Sequence, residues 1–456
     1  MKKLLLTLAL CALTATAVTA KITLPKAAEF KLSNGLTVNV IERHQLPLFS
    51  VSLTCRAGSI YDPVGQEGLA SLSSDMLMRG TKTRTAKQIA DEIAFGGGTL
   101  GNSCGFSSAG FNGEFLTENG EKGFQILADL LLNSTFTPEE FEKTKTLDLG
   151  GLQGRREDPR NVAGDAIWEA VLGTSRYAHF SGGTPAQVQA LTRDNVVKFV
   201  KEHYTPDNCV LVVCGDITTK AVRSWVDKYF GPWKGKAVPA QAEQTFAPIS
   251  GREVIIYDKP DASQTQIRIG GNGIPLNHAD YPALEVARTV YGGSFASRLG
   301  DEIRVKRGLT YGVSYRSSSF KPGGVAFVTT FTKNATVGQV VDLILAEAYR
   351  MQTEPLPDSE LADGAAFRNG TYPLNYETND DLADVYANMW LNGLDRSYFE
   401  DYQERLKAVT SAQAMDAAKK YFSKDNYRLV LVGKADEVRP QVEKFGPVTV
   451  KPFSQE

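Results

Sequence analysis

The chain has 456 residues, which is enough for two or more domains with separate hydrophobic cores. Its 50 basic and 52 acidic side chains leave a formal net charge of −2, so composition gives no electrostatic basis for a nucleic-acid partner. Five cysteines in a chain of 456 residues are too few for a small fold held together by disulfides.

The first twenty residues have the features of a secretory signal peptide. A positively charged start, Met1-Lys2-Lys3, precedes a short apolar run, and Val18-Thr19-Ala20 supplies small residues at the cleavage site. No later stretch approaches the roughly 20 apolar residues of a membrane-spanning helix. We therefore predict a signal peptide over residues 1–20, export to the periplasm, with release outside the cell left open, and no membrane anchor.

The elements that follow alternate between strands and helices. Asn34-Gly35 predicts a hairpin turn within residues 30–43, and residues 48–57 predict a further strand. Helices are predicted over 68–78, 85–95 and 120–133. Thr137-Pro138 is typical of a helix start and opens a long helical segment that Asp158-Pro159 interrupts.

An internal repeat divides the chain into two similar parts. Residues 191–216 align without a gap with residues 409–434, and each segment predicts a helix, a turn and a buried strand. Between them, residues 234–251 are polar and rich in helix breakers, which indicates a linker. We predict an α+β fold of two homologous domains, 21–233 and 252–456, each an antiparallel-rich sheet packed with helices.

Neither the histidines nor the cysteines that follow the predicted signal peptide show metal-ligand spacing. These four cysteines are Cys55, Cys104, Cys209 and Cys214. Cys209 and Cys214 lie on one predicted strand with opposite orientation and are not expected to bond to each other. Each cysteine is expected to be a small core residue, and whether any of them forms a disulfide stays open. The four histidines are scattered singly along the chain, which favours structural or surface roles.

Residues 298–315 predict a helix that turns into a strand. Three apolar residues at helical spacing would form the buried side of the helix: Phe295, Leu299 and Ile303. Gly308 would end the helix, with Arg304 in its last turn and Tyr311 at the start of the strand. A guanidinium and a phenol that converge at such a corner can hydrogen-bond a peptide carbonyl.

The segment 61–81 resembles the pitrilysin/insulinase family of zinc peptidases. Members carry H-x-x-E-H on a helix, and the residues that flank this motif are present here: Gly68, Ala70, Met76, Gly80 and Thr81. The two histidine positions are Ser71 and Asp75, and the glutamate position is Ser74. Neutral hydroxyls are poor zinc ligands, and none of these groups suits a general base.

A further family ligand, a glutamate on a later helix, is also missing. The corresponding positions are Gly150 and Gly151. The resemblance therefore implies that this chain binds no metal cofactor. Another interpretation, in which Asp75 helps to bind some other metal, has less support.

The segment 291–311 resembles the family's carboxy-terminal motif, which contains an arginine and a tyrosine that contact the substrate. The matching residues are Arg304 and Tyr311. In some bacterial members a zinc-bearing chain and a partner with the Arg/Tyr pair form a heterodimer. The resemblance implies that this chain forms one clam-like half of a peptidase chamber. A paralogous partner would hold the zinc, and Arg304 and Tyr311 would bind the peptide substrate at the partner's site. The alternative is a metal-free homodimeric binding or assembly protein without a peptidase role.

Overall fold

The computed structural model describes residues 22–235 and 244–453. The whole predicted signal peptide, residues 1–20, and part of the predicted linker lie outside these ranges. The predicted fold class is confirmed, because the described chain consists of two six-stranded sheets, each packed with helices.

The first half contains six strands in the order β1-β2-β6-β3-β5-β4. Their bounds are β1 Ala28–Lys31, β2 Thr37–Glu42, β3 Leu48–Cys55, β4 Thr99–Cys104, β5 Ala109–Leu116 and β6 Cys209–Gly215. All neighbours are antiparallel except β2 and β6. The predicted hairpin is present, with Gly35 at φ +101°, a conformation that favours glycine.

Eight helices of the first half follow one another between and after these strands. They are α1 Leu69–Leu77, α2 Ala86–Phe95, α3 Gly120–Asn133, α4 Pro138–Glu157, α5 Pro159–Leu172, α6 Pro185–Ala190, α7 Arg193–His203 and α8 Thr219–Phe230. The long predicted helix is divided as expected, because the Asp158 side chain ends α4 and caps α5 by accepting from the Arg160 N–H at 2.8 Å.

The second half has the strand order β12-β7-β11-β8-β10-β9, which repeats the order of five strands of the first half. Its strands are β7 Arg252–Asp258, β8 Gln264–Gly273, β9 Val313–Phe320, β10 Gly323–Lys333, β11 Tyr427–Gly433 and β12 Val448–Pro452. Its edge strand differs, because β12 is the last strand of the half and lies parallel to β7, whereas β1 is the first and lies antiparallel to β2. Its helices are α9 Tyr281–Arg288, α10 Val337–Thr353, α11 Asp358–Thr371, α12 Asn379–Asn392, α13 Arg396–Glu400, α14 Tyr402–Lys407, α15 Ser411–Tyr421 and α16 Ala435–Val442. Two π-helical turns, Thr289–Gly293 and Gly300–Val305, follow α9.

The sequence repeat coincides with equivalent elements of the two halves. Helices α7 and α15 have the same length, and each begins with a capping box, at Thr192 and at Thr410. The strands after them, β6 and β11, each pair in parallel with the first long strand of their sheet and antiparallel with the second. The two halves are therefore structural repeats.

One disulfide joins the middle of the first sheet. Cys55 on β3 is directly opposite Cys209 on β6, and their sulfur atoms are bonded. Cys214 is buried and free, so the prediction that it does not bond to Cys209 is confirmed. Cys55 and Cys209 are buried in the core, as expected, and the antiparallel register that places them side by side explains the disulfide that the sequence left open.

Each sheet is covered on its second face by a helix of the other half. Ala163 and Ile167 of α5 pack in one apolar cluster with Val430 and Val432 of β11. In return, α12 packs across the first sheet, where Leu382 and other apolar residues meet a cluster of β2 and β6 side chains: Ile41, Val210, Val212 and Cys214. This reciprocal packing joins the two halves through apolar contacts. None of the helices in the described ranges has the length and hydropathy of a membrane-spanning segment.

Helices α5 and α12, each of which covers the sheet of the other half, should contribute strongly to stability. We expect Ile167→Ala, at a fully buried position of α5, to lower the free energy of unfolding by about 2–4 kcal/mol, because it leaves a cavity between the halves. Urea unfolding followed by circular dichroism measures this loss. The control Glu157→Ala, at an exposed position at the end of α4, should change stability by less than about 0.5 kcal/mol. Equal stability of both variants would contradict a packed interface.

Candidate functional site

The helical part of the 298–315 segment is anchored by two buried residues. Leu299 and Ile303 are fully buried in the core of the second half. The helical turns end at Gly308, whose φ of +61° is the left-handed conformation that commonly ends helices at glycine. Its N–H donates to the Arg304 carbonyl at 3.0 Å. Arg304 therefore lies in the last turn, as predicted.

Two details of the segment differ from the prediction. Phe295 is 79% exposed rather than part of the buried side, because it lies in a turn before the helical residues begin at Arg298. The Arg304 guanidinium lies over its ring at 3.5 Å and donates to its carbonyl at 2.9 Å. Tyr311 precedes the strand, which begins at Val313. Thr310 explains why the strand starts later. Its hydroxyl donates to the Gly312 carbonyl and accepts from the Gly312 N–H, which forms a local turn before the strand.

Arg304 and Tyr311 both line one open cleft of about 760 Å³. Tyr311 is 88% exposed, and only one Arg304 N–H donates to another described residue. Both side chains therefore keep donors free for a ligand. The cleft is bounded by the start of α5, the β8–β10–β9 face of the second sheet and residues 292–295. None of the positions of the degenerate zinc motif lines it.

The degenerate motif lies on α1, next to β4 of the first sheet. Ser71 is half-buried and Ser74 is buried, while Asp75 is half-buried one residue further on. The Asn102 side chain on β4 donates to both Ser74 Oγ, at 3.0 Å, and Asp75 Oδ1, at 2.7 Å. Ser74 Oγ also approaches the Ser103 carbonyl at 3.4 Å. A hydrogen-bond network between α1 and β4 thus occupies the region of the motif.

Asp148 on α4 lies near this network and was not among the residues that the sequence singled out. Burial and the negative charge of Asp75 raise the pKa of Asp148 to about 7, although the Arg79 guanidinium opposes the rise. Gly150 and Gly151 lie on the exposed side of the same helix, where a Cβ would meet no atom within 4 Å. The acidic residue of α4 whose charge acts on Asp75 is therefore two to three residues earlier than the family positions.

The side chains at these positions do not fit a zinc ion as ligands. The helix offers two neutral hydroxyls and one carboxylate, which already accepts a hydrogen bond from Asn102. Asp148 would add a carboxyl group that is partly protonated at neutral pH. Among residues 22–235 and 244–453, no three His, Cys, Asp or Glu side chains are grouped as a metal site would require.

The raised pKa of Asp148 predicts a pH-dependent contribution to stability. Because its pKa rises from an ordinary 3.8 to about 7 on folding, the folded state binds the extra proton, and stability falls as the pH rises from about 4 to 7. Asp148→Asn should remove this loss. At pH 8 we expect the variant to be more stable by about 1–2 kcal/mol, a value reduced for solvent screening, with no difference near pH 4. Urea unfolding at both pH values tests this, and a constant difference would contradict it.

Two family models match the chain. Residues 38–177 match the insulinase model of peptidase family M16, and residues 190–366 match the model described as peptidase M16 inactive domain. The chain belongs to peptidase family M16. The family therefore accounts for the two-domain repeat and for the motif flanks around α1. The two models match residues in both halves, and the second match ends at residue 366.

Relatives of this M16 protein differ in the activity that their names state. An uncharacterized zinc protease from Rickettsia bellii is 29% identical over 64% of this chain and 70% of its own length. A non-peptidase homolog from Helicobacter pylori is 26% identical over 83% of this chain and 87% of its own. A peptidase M16 inactive domain from Pseudomonas fluorescens has a similar fold, with TM-score 0.83 and 23% identity over 90% of this chain and 98% of that one.

Proposed function

We propose that this M16 protein is a non-catalytic subunit of an exported, heterodimeric zinc peptidase. A zinc-bearing paralogous partner would provide the catalytic metal, and this chain would provide Arg304 and Tyr311 as groups that bind the peptide. The observation that carries the proposal is the contrast between two sites. The zinc motif has lost its ligands, whereas the Arg/Tyr pair lines an open cleft with unoccupied donors.

The geometry of Arg304 suits a group that positions a peptide. Its contact with the Phe295 ring and carbonyl limits the freedom of the guanidinium and leaves further N–H groups available. A guanidinium that is already ordered loses little conformational entropy when it binds a carbonyl or a developing oxyanion. The exposed Tyr311 hydroxyl would donate a second hydrogen bond. No metal ligand is required of this chain for either contact.

Two observations support export to the periplasm. The amino-terminal residues have the pattern of a signal peptide, although they lie outside the described residues. The Cys55–Cys209 disulfide within the first sheet is typical of proteins that fold in an oxidising compartment.

The test is reconstitution with a zinc-bearing M16 protein encoded in the same genome. We expect the two chains to co-purify after co-expression and to cleave an unstructured peptide only when both are present. A control mixture would contain the partner with its zinc-motif glutamate replaced by glutamine, and it should be inactive. Cleavage by the partner alone at the rate of the pair would refute the subunit role. A stable homodimer that does not respond to any such partner would favour the binding or assembly function instead.

A further inference from the structure

The cleft that contains Arg304 and Tyr311 is strongly basic. Its lining includes four arginines and no carboxylate; the arginines are Arg160, Arg268, Arg304 and Arg316. The whole chain carries a formal charge of −2, so this concentration of positive charge is local. A peptide-binding cleft with such a lining should discriminate between peptides by charge.

Arg268 on β8 is the unusual member of this group. It is only 7% exposed, yet its guanidinium donates to backbone carbonyls alone, to Ile267, Thr330 and Arg160. Within the described part of the chain it forms no ion pair. A guanidinium that loses most of its hydration normally has a carboxylate partner, because burial of an unpaired charge is costly.

Arg316 on β9 adds a second positive charge on the same face. Strand β10 lies between the two, with Thr329 opposite Arg268 and Phe327 opposite Arg316. Because Phe327 and Thr329 are two residues apart, their side chains, and those of both arginines, point to the same side of the sheet. Arg316 is exposed and has no hydrogen bond or ion pair to another residue of the described ranges.

The charges around Arg268 are not balanced. Burial and the positive charge of Arg316 lower the pKa of Arg268 to about 10, and Asp158 opposes them only weakly. The carboxylate of Asp158 is also engaged elsewhere, because it accepts from Arg160 Nη2 at 3.0 Å and caps α5. The protein thus leaves a deficit of negative charge between β8 and β9.

We propose that Arg268 and Arg316 bind a carboxylate of the peptide substrate, so that the cleft selects acidic peptides. The carboxylate could belong to an Asp or Glu side chain or to the carboxyl terminus of the peptide. A planar guanidinium binds a carboxylate through two parallel hydrogen bonds, and the partly buried site strengthens them. This inference rests on the proposed function, because it assumes that a peptide lies in the cleft.

Exposed aromatic rings beside the arginines fit the same ligand. Phe295 is 79% and Phe367 is 42% exposed, and both line the cleft. Apolar side chains next to the acidic residue would pack against these rings. Arg304 would remain available for the peptide backbone. A peptide with one acidic residue among apolar ones therefore matches the lining better than a basic peptide does.

Isothermal titration calorimetry on the purified chain tests the inference without any partner. The probes are unlabelled peptides of about ten residues with blocked ends that differ only in a central Glu or Gln. A third probe, the Gln peptide with a free terminal carboxylate, distinguishes the two sources of the carboxylate. We expect the Glu peptide to bind about 10-fold more tightly than the blocked Gln peptide, and less tightly at high salt. If the terminal carboxylate is the ligand, the third probe shows this preference instead.

Arg316→Gln should abolish the preference for the carboxylate, and Arg268→Lys should weaken it several-fold, since an ammonium lacks the planar fork. Arg439→Gln removes the same charge from the exposed surface of α16, outside the cleft, and should bind like the unmodified protein. Equal affinity for all three peptides, no binding of any of them, or equal behaviour of Arg316→Gln and Arg439→Gln would overturn the inference. None of these results would affect the reconstitution test of the subunit role.

Discussion

Arg304→Ala should lower kcat/KM of the reconstituted pair about 10²–10³-fold, the usual cost of removing one positioned donor near a developing oxyanion. The effect should fall mainly on kcat if the guanidinium binds the transition state, and mainly on KM if it binds the substrate backbone. Tyr311→Phe should have a smaller effect, because the exposed phenol is not held by other described residues. Steady-state kinetics with a single peptide measure both variants.

Arg307→Ala is the matched control for Arg304. Arg307 lies three residues later, donates to the Glu302 carbonyl and does not line the cleft. Its loss therefore tests whether any change at the end of this helix lowers the rate. We expect its kinetics to stay within about twofold of the unmodified pair. Equal rates for Arg304→Ala and Arg307→Ala would reduce Arg304 to a structural role.

Glu285→Gln should lower the free energy of unfolding by about 3–5 kcal/mol. Glu285 on α9 is 1% exposed and pairs with Arg288 on the same helix and Arg368 on α11, while Tyr402 of α14 donates to it at 3.3 Å. Removal of this carboxylate would leave two guanidinium groups without a counter-charge in the interior. Urea unfolding measures the loss.

The Glu285 carboxylate should also make the free energy of unfolding fall at acid pH. Burial raises the pKa of Glu285, but the charges and hydrogen bonds of Arg288 and Arg368 outweigh it, so the pKa lies below its ordinary 4.5. A lowered pKa stabilises the fold above about pH 4.5, and this contribution is lost as the pH falls through the folded-state pKa. Glu354→Gln, at an exposed ion pair with Arg350, should cost less than about 1 kcal/mol. A similar cost for both variants would contradict the account of the buried network.

The gapless alignment of residues 191–216 with 409–434 predicted the repeat, and local sequence signals predicted several element boundaries. Thr192 and Thr410 cap equivalent helices because threonine side chains accept from the third residue of a helix, a rule that needs only neighbouring residues. Asn34-Gly35 and Gly308 predicted a turn and a helix end for the same reason. The position of Tyr311 was less predictable, because the side-chain turn at Thr310 competes with the strand that follows.

The features that the sequence did not predict depend on contacts between distant residues. Cys55 and Cys209 bond only because β3 and β6 are adjacent and in one register. Arg268 and Arg316 share a face because β10 separates them by a defined register, and Asp148 approaches Asp75 through the packing of α4 near α1. Periodicity alone could not show that helices α5 and α12 each pack on the sheet of the other half.

Under the proposed function, the chain does not catalyse peptide hydrolysis by itself. The most direct measurement is the hydrolysis rate of the isolated chain after chelator treatment and addition of zinc, with no second polypeptide present. Because Ser71, Ser74 and Asp75 replace the metal ligands and the general base, we predict a rate equal to that of the buffer. Zinc-dependent hydrolysis by the isolated chain would contradict the claim.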